Sequence, residues 1–290
     1  MSSGPDILAH RLQEPAGEVS NENRRVEDGE PKTVLLLNGG MMTYPSWATV
    51  TEALLTAGFS VLGCDFRGQL LSPPTAEQPV PETIEGHVPA VIGLLDHLDL
   101  ERVHVLGTSY GAMVGLALAA GFPERTASLA VATSVHRTPP GMAEDSERMQ
   151  GLVRQVLGGG STEPFHGALL QDFYSPEYRD RHRESIAHRA RQVAALPEAW
   201  FAGLLGILGS LKDFDLTDLL PHIQAPVTVM HAAKDEIMPL DLVQELVTAL
   251  DRPGRACTLH VHAASGHALV VEDPAWLAAT YLEFVTALNR

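Results

Sequence analysis

A serine stands between two glycines in residues 107–111, which read GTSYG. A short apolar run precedes this turn, and a helical pattern of small apolar residues follows it. A sharp turn from strand to helix would expose the hydroxyl of Ser109, and the glycines would relieve crowding around it. Because a serine hydroxyl is a poor nucleophile at neutral pH, it needs a base and an acid that orients the base. Without such partners the motif would be an ordinary glycine-rich bend.

The candidate base is His267, which follows the last predicted strand directly after a glycine. The candidate acid is Asp235, in the loop after the preceding strand, where a carboxylate could hold an imidazole in one tautomer. Asp235 is preferred to its neighbour Glu236 because its shorter side chain suits the loop. Asp65 is an alternative acid, but the adjacent Arg67 favours a role in ordering its own loop.

An attacked carbonyl develops negative charge on its oxygen, and two backbone amides could hold that charge. The first is the amide of Tyr110, at the start of a helix whose dipole adds positive potential. The second should come from the glycine loop after the first clear strand, where Gly40 is the preferred donor. Met41 is the neighbour that could replace it.

Short apolar strands alternate with helical patterns along most of the chain, which predicts a mainly parallel sheet covered by helices on both faces. Each candidate residue follows a predicted strand, and open α/β sheets place their sites at that edge. The predicted strands are residues 33–37, 59–64, 102–106, 127–132, 226–231 and 256–261. The predicted helices include residues 45–57, 82–97, 239–250 and 274–288, with a further helix from the GTSYG turn to about Gly121.

Residues 138–215 interrupt this alternation, because they contain helical patterns broken by Gly and Pro and no convincing strand. They predict a helical cap or lid inserted between two strands of a core made from residues 31–137 and 216–290. Residues 1–30 are weakly patterned and could hold one or two edge strands.

The composition limits the kinds of molecule that the protein is expected to bind. A formal net charge of −16 argues against nucleic acids and anionic membranes. Cys64 and Cys257 fit neither a metal spacing nor a disulfide framework, and no metal or redox cofactor is implied. The amino-terminal residues lack the pattern of a signal peptide, and no apolar stretch is long enough to span a bilayer. We therefore expect a cytoplasmic monomer or homodimer that acts on a small molecule.

Six segments of the chain resemble the α/β-hydrolase superfamily, and the resemblance runs from about Lys32 to Arg290. They are LLLNGG, DFRGQLLSP, GTSYGA, GFPERTASL, HAAKDEIMP and SGHALVVEDP. The order Ser, Asp, His along the chain is also the order of that family. The resemblance implies an α/β-hydrolase fold with a mainly parallel sheet of the eight-stranded type and a helical cap, with Ser109, Asp235 and His267 as the triad.

Two departures from the family pattern concern the loops around the site. Asn38 replaces the usual histidine before the oxyanion-loop glycine, and its amide can still tie that loop down. Leu70 replaces the second glycine of a Gly-x-Gly-x-Ser loop, which could reshape the mouth of the pocket. Ser109 in place of an aspartate argues against the dehalogenase and epoxide-hydrolase branches. The N-G-x-M loop resembles that of rhamnolipid-type acyltransferases.

These residues predict cleavage of an ester, lactone or thioester of a hydrophobic small molecule through an acyl-enzyme intermediate. Acyl transfer or a thioesterase activity in a biosynthetic pathway stays an alternative. Another is a lyase or cofactor-free oxygenase that uses only His267 and Asp235. A non-catalytic scaffold is disfavoured because every member of the triad is present.

A mostly apolar pocket lining is expected from Met and aromatic residues near the motifs and in the predicted cap. The motifs have no basic cluster beside them, so a strongly anionic substrate is not favoured. The candidate lining residues are Met42, Tyr44, Trp47, Phe173, Tyr174, Trp200, Phe201, Leu204 and Leu205.

Overall fold

A seven-stranded sheet forms the centre of the molecule in a computed structural model that describes residues 7–16 and 31–288. The strand order is β1-β3-β2-β4-β5-β6-β7, and every neighbouring pair is parallel except β1 with β3. The strands are β1 (His10–Gln13), β2 (Thr33–Leu37), β3 (Ser60–Cys64), β4 (Val103–Thr108), β5 (Thr126–Ala132), β6 (Val227–Ala232) and β7 (Cys257–His262).

The four central strands, β2, β4, β5 and β6, are buried at every position, as expected for a parallel sheet with helices on both faces. The predicted mainly parallel sheet is thus confirmed, with seven strands in the described residues where eight were expected. The antiparallel edge strand β1 lies in the weakly patterned amino-terminal segment. Residues 1–6 and 17–30 of that segment lie outside the described residues.

Helices cover both faces of the sheet. Residues of α1 and α11 pack on one face, around Trp47, Leu54 and Tyr281, whereas α2, α3 and α9 contribute to the core on the other. The α-helices are α1 (Ala48–Thr56), α2 (Val88–His97), α3 (Tyr110–Gly121), α4 (Met142–Leu157), α5 (Glu163–Phe173), α6 (Pro176–Arg181), α7 (Arg183–Ala194), α8 (Glu198–Gly209), α9 (Leu240–Leu250), α10 (Leu269–Glu272) and α11 (Pro274–Ala287).

Helices α4 to α8 all lie in residues 138–215, called the helical segment below. The chain enters and leaves the segment at adjacent points. Thr138 N donates to Phe214 O over 2.9 Å, and Leu216 N donates to His136 O over 2.8 Å. Around Phe165, Trp200 and Phe201 the segment has an aromatic cluster of its own, with ring centroids 4.9 to 6.2 Å apart.

The apolar helices are short. Among the described residues no single helix has both the length and the apolar composition needed to cross a membrane. Helices α7 and α8 meet those two criteria only as a pair, with a bend of 101° between them. Helix α3 is apolar and is buried from Tyr110 to Ala120, where it packs against the sheet.

A buried histidine makes the stability of the core depend on pH. His104 on β4 accepts from Ser128 Oγ over 2.8 Å and donates to Pro31 O over 3.0 Å. Burial lowers the pKa of His104 to about 4 from its ordinary value of 6.5. The folded protein therefore binds fewer protons than the unfolded chain between these two pH values.

We predict that the free energy of unfolding decreases as the pH falls from 6.5 to 4, with His104 contributing up to about 3 kcal/mol. His104→Gln can keep the bond to Pro31 O but cannot titrate, so its stability should decline less over this range. Urea denaturation of both proteins between pH 7 and 4 tests this. Parallel pH profiles for the two proteins would contradict the prediction.

Candidate active site

Ser109 lies at the sharp turn between β4 and α3. Its backbone angles, φ of 51° and ψ of −121°, lie outside the regions that residues other than glycine ordinarily adopt. The flanking glycines permit the turn. A Cβ at Gly107 would lie 2.6 Å from Cα of Ala112, and a Cβ at Gly111 would overlap the carbonyl of Leu37. The turn therefore presents the serine hydroxyl at the edge where the parallel strands end.

Ser109, His267 and Asp235 are joined by two consecutive hydrogen bonds. Ser109 Oγ donates to His267 Nε2 over 2.9 Å, and His267 Nδ1 donates to Asp235 Oδ2 over 2.9 Å. A carboxylate only accepts hydrogen bonds, so it selects the tautomer that leaves Nε2 free to accept the serine proton. The three side chains come from loops after β4, β6 and β7.

The carboxylate of Asp235 is fully buried and held from both sides. Its Oδ1 accepts from the amides of Ile237 and Met238, each over 2.9 Å, which leaves Oδ2 facing His267. His231 Nδ1 lies 3.9 Å from Oδ2, and burial lowers the pKa of this second histidine, although the charge of Asp235 opposes the shift.

Asp65, the alternative acid, lies in a different place. Its Oδ1 accepts from Asn38 Nδ2 and from the amide of Tyr44, and its Oδ2 accepts from the amide of Leu71. Burial raises the pKa of Asp65, although these donors oppose the shift. Asp65 therefore ties together the loops after β2 and β3.

The predicted oxyanion donors share one cavity with the serine. Gly40, Met41 and Tyr110 line the same cavity as Ser109 and His267. The amide of Tyr110 opens α3, where first-turn amides have no partner within the helix and the helix dipole is positive. The side chain of Tyr110 is buried, and its hydroxyl hydrogen-bonds to His87 Nε2 and to Ser210 Oγ, each over 2.8 Å. The hydrogen bond to Ser210 connects Tyr110, the residue after Ser109, to the helical segment.

A cavity of about 630 Å³ opens above these groups, between the sheet edge and the helical segment. Leucine, isoleucine, valine and methionine make up half of the residues that line it, and aromatic side chains add to this apolar surface, which is typical of a site for an apolar ligand. Five of the expected residues line it, namely Met42, Phe173, Tyr174, Trp200 and Leu204. The ring of Phe173 also packs edge-on against His267, with centroids 5.1 Å apart.

The other expected lining residues lie elsewhere in the structure. Trp47 is buried beneath the loop that follows β2 and donates through Nε1 to Asn38 Oδ1. Tyr44 packs over Gly63 of β3, and Phe201 faces Phe165 inside the helical segment. Leu205 packs against the main core. An aromatic side chain close to a motif in the sequence can therefore pack in the core instead of lining the cavity.

Several lining residues were not expected from the sequence. Ile207 and Leu208 follow Leu204 at helical spacing, so the periodicity of α8 could have indicated them, whereas Leu211 lies just beyond the end of this helix. Three polar residues of the segment, His166, Arg189 and Gln192, also reach the cavity, and Arg189 Nη1 donates to Tyr174 Oη over 3.0 Å.

Glu272 joins the helical segment to the loop that carries His267. Its Oε1 accepts from the amides of Ser175 and Gly266, over 2.8 and 3.1 Å, and its Oε2 accepts from Ser175 Oγ over 2.6 Å. Nearby, the amide of Ala268 donates to Phe173 O over 2.8 Å. No sequence pattern pointed to Glu272, because its partners are 97 and 6 residues away.

No group of three or more His, Cys, Asp or Glu side chains suited to a metal ion occurs in the described part of the chain. The expectation that the protein needs no metal stays a prediction. The two thiols, Cys64 and Cys257, are buried, and burial raises the pKa of each to about 12, which makes both poor nucleophiles.

Residues 32–274 match the family model of the alpha/beta hydrolase fold, so the chain belongs to the α/β-hydrolase family. The solved alpha/beta hydrolase enzyme MGS-M2, from a Medee basin deep-sea metagenome library, has this fold. It superposes with a TM-score of 0.81 at 22% identity and covers 96% of this chain and 94% of its own.

Two curated relatives are named as hydrolases. The RutD protein of Variovorax paradoxus (strain S110), whose name gives carbamate hydrolysis as a proposed activity, is 28% identical over 90% of this chain and 94% of its own. The 2-hydroxy-6-oxononadienedioate/2-hydroxy-6-oxononatrienedioate hydrolase of Paraburkholderia xenovorans (strain LB400) is 26% identical over 89% and 87%. The expectation of an enzyme of the hydrolase class is therefore confirmed at this coarse level.

The partly buried hydrogen bonds of Glu272 lead to a prediction about stability. Glu272→Ala leaves the amides of Ser175 and Gly266 without their acceptor, so we expect a loss of about 2 kcal/mol in the free energy of unfolding. Glu177→Ala is a matched control, since Glu177 also bridges the helical segment to the loop that carries Asp235, through Lys234 at 2.5 Å, but at an exposed position. Exposed ion pairs contribute little, so the control should melt near the wild-type temperature.

Urea denaturation and thermal melting of the two variants test this difference. Equal losses in both variants, or no loss in Glu272→Ala, would contradict the role assigned to Glu272.

Proposed function

We propose that this protein is a serine hydrolase that cleaves an ester, lactone or thioester of a hydrophobic small molecule. The observation that carries the proposal is the hydrogen-bonded series Ser109, His267, Asp235 beneath a largely apolar cavity. This arrangement supplies a nucleophile, a base and an orienting acid in contact with one another.

In the acylation step, Ser109 Oγ attacks the carbonyl carbon while its proton moves to His267 Nε2. Asp235 stabilises the imidazolium that forms and does not itself take the proton. The amides of Tyr110 and Gly40, with Met41 as the neighbouring donor, would hold the oxyanion of the tetrahedral intermediate. When the intermediate collapses, His267 gives its proton to the leaving alcohol or thiol, and an ester on Ser109 remains.

In the deacylation step, His267 removes a proton from water, and the oxygen of that water attacks the acyl carbon. A second tetrahedral intermediate forms in the same oxyanion site. Its collapse returns the proton from His267 to Ser109 Oγ and releases the acid. The enzyme is thereby regenerated, and the net reaction consumes one water.

The helical segment of residues 138–215 would act as a cap over a core of residues 31–137 and 216–290. Its side chains Trp200, Leu204 and Phe173 line the same cavity as the serine, which supports a role in selecting the acyl group. Arg189 is the cationic residue of the lining, and it already hydrogen-bonds Tyr174, so we favour a neutral apolar substrate.

The curated relatives bear on the substrate only through their names, which give a carbamate and a dienedioate. A carbamate also presents a carbonyl carbon to a nucleophile. An ester panel that includes a carbamate is therefore the appropriate first screen.

A fluorophosphonate probe tests the nucleophile. We predict that it labels the wild-type protein at Ser109, that Ser109→Ala abolishes labelling, and that His267→Ala slows it at least 100-fold because the base is lost. Mass spectrometry of the labelled peptide identifies the site, and circular dichroism checks that each variant is folded. Labelling that persists in folded Ser109→Ala, or an activity that needs His267 but not Ser109, would overturn the proposal.

The apolar cavity predicts a dependence on acyl chain length. Each methylene group buried contributes about 0.8 kcal/mol, so kcat/KM for p-nitrophenyl esters should rise up to about fourfold per methylene until the cavity is filled. Steady-state hydrolysis of the acetate, butyrate, hexanoate and octanoate esters measures this. A flat or falling series from acetate to butyrate would contradict an apolar acyl pocket.

A further inference from the structure

We infer that Gln69 is a positioning residue that fixes the oxyanion-loop peptides, so that the amides of both Gly40 and Met41 face the serine. The inference rests on the proposed function, because it concerns how the same site holds the oxyanion. Gln69 lies two residues after Arg67, in the loop that follows β3, and the sequence patterns assigned it no role. Its side chain is fully buried and is absent from the cavity lining.

Both ends of the Gln69 amide are fully used. Its Nε2 donates to Gly39 O over 2.8 Å and to Gly40 O over 3.3 Å. Its Oε1 accepts from the amide of Phe66 over 2.9 Å and from Asn38 Nδ2 over 3.0 Å. These four contacts use the whole hydrogen-bonding capacity of the group. Rotating the amide by 180° would set its NH₂ group against two donors, so only one orientation fits.

The consequence for the oxyanion loop follows from peptide geometry. In a planar trans peptide the carbonyl and the N–H point in opposite directions, and no cis peptide occurs in the described residues. Holding Gly39 O toward Gln69 therefore turns the amide of Gly40 away from the buried side. Holding Gly40 O does the same for the amide of Met41. The side away from Gln69 is the cavity, which Gly40, Met41 and Ser109 line together.

A turn within the loop supports the same orientation. The amide of Met42 donates to Gly39 O over 3.0 Å, so this carbonyl has two donors that fix its direction. Gly40 O has only the side chain of Gln69 as a hydrogen-bond donor among the described residues. The peptide between Gly40 and Met41 therefore depends on Gln69 more than the peptide between Gly39 and Gly40. A change at Gln69 should disturb the amide of Met41 more than the amide of Gly40.

Gln69 is itself held by a buried polar cluster, defined here as Asn38, Trp47, Asp65 and Gln69. Asn38 Nδ2 donates to Cys64 O and to Asp65 Oδ1, over 2.9 and 3.0 Å, as well as to Gln69. Trp47 Nε1 donates to Asn38 Oδ1 over 2.9 Å. The loop around Gln69 is closed by its own amide, which donates to Phe66 O over 2.9 Å. The Gln69 side chain therefore has a defined position against which the oxyanion loop can be set.

Gln69→Met tests the inference, because methionine has a similar volume and no amide. With p-nitrophenyl butyrate as the probe, we expect kcat to fall about 10- to 100-fold while KM stays within threefold, since a misdirected amide weakens only the oxyanion contact. Affinity for a trifluoromethyl ketone that forms a tetrahedral adduct should fall by a similar factor.

Two controls separate positioning from stability. Gln150→Met makes the same change on α4, away from the cavity lining, and should keep wild-type kcat. Ser128→Ala removes the buried bond to His104 at the other end of β4 and β5, so it lowers stability without touching the oxyanion loop. A folded Gln69→Met with kcat within twofold of wild type would overturn the inference. The inference would also be overturned if Ser128→Ala, with the same free energy of unfolding as Gln69→Met, showed the same loss of kcat.

Gln69→Glu gives a second test if the methionine variant folds poorly. The introduced carboxylate would repel Gly39 O when ionised, whereas its protonated form could donate to that carbonyl. The ratio of variant to wild-type kcat should therefore rise as the pH falls from 8 to 5. Asp65 shares the donor Asn38 Nδ2 with Gln69, Arg67 lies in the same loop, and His267 lines the cavity. All three residues occur in both proteins, so the ratio removes their titration. A ratio independent of pH would overturn the inference.

The labelling experiment distinguishes this inference from the proposed function. If a fluorophosphonate labels Ser109 while the Gln69 variants behave like wild type, only the positioning role fails. If Ser109 is not labelled in the folded wild-type protein, the serine hydrolase proposal fails.

Discussion

The close approach of α3 to the end of β2 is the constraint on which the site depends. Gly111 packs directly against the carbonyl of Leu37, at a distance that any Cβ would prevent. Leu37 pairs with Gly107 in the parallel ladder of β2 and β4, so the loops that leave these two strands start side by side. The loop after β2, which holds Gly40 and Met41, and the turn at Ser109 are therefore adjacent because of strand register and the absence of side chains at Gly107 and Gly111.

The remaining groups reach the serine because neighbouring parallel strands end at the same edge. β5, β6 and β7 continue the ladder, and the loops after β6 and β7 bring Asp235 and His267 to Ser109 from 126 and 158 residues away along the chain. Each side chain then has a local restraint. Two backbone amides hold Asp235, and the edge of Phe173 packs against His267. Such restraints keep reacting groups aligned without a further ordering cost at the moment of reaction.

The helical segment and the sheet edge are also physically joined, so the cavity belongs to both. The hydroxyl of Tyr110 bonds Ser210 at the end of α8, and Glu272 bonds Ser175 between α5 and α6. Under the loop that follows β2, Asn38 stands where the family pattern has a histidine, and it is hydrogen-bonded to Trp47, Asp65 and Gln69 of the polar cluster. This cluster is fully hydrogen-bonded to its neighbours, as buried polar groups must be to avoid a large desolvation cost.

The sequence by itself determined the order of strands and helices, the turn at Ser109 and the choice of Asp235 and His267 as its candidate partners. These features are local, since strand periodicity, glycine at a turn and a polar residue after a strand are each encoded in a few neighbouring residues. Only the tertiary structure decided that Trp47 bonds Asn38 beneath the loop after β2 instead of lining the cavity, and that Gln69 and Glu272 each hydrogen-bond more than one segment of the chain. Their partners come from distant segments, and which face of a buried side chain meets which loop is determined by packing that no short stretch of sequence specifies.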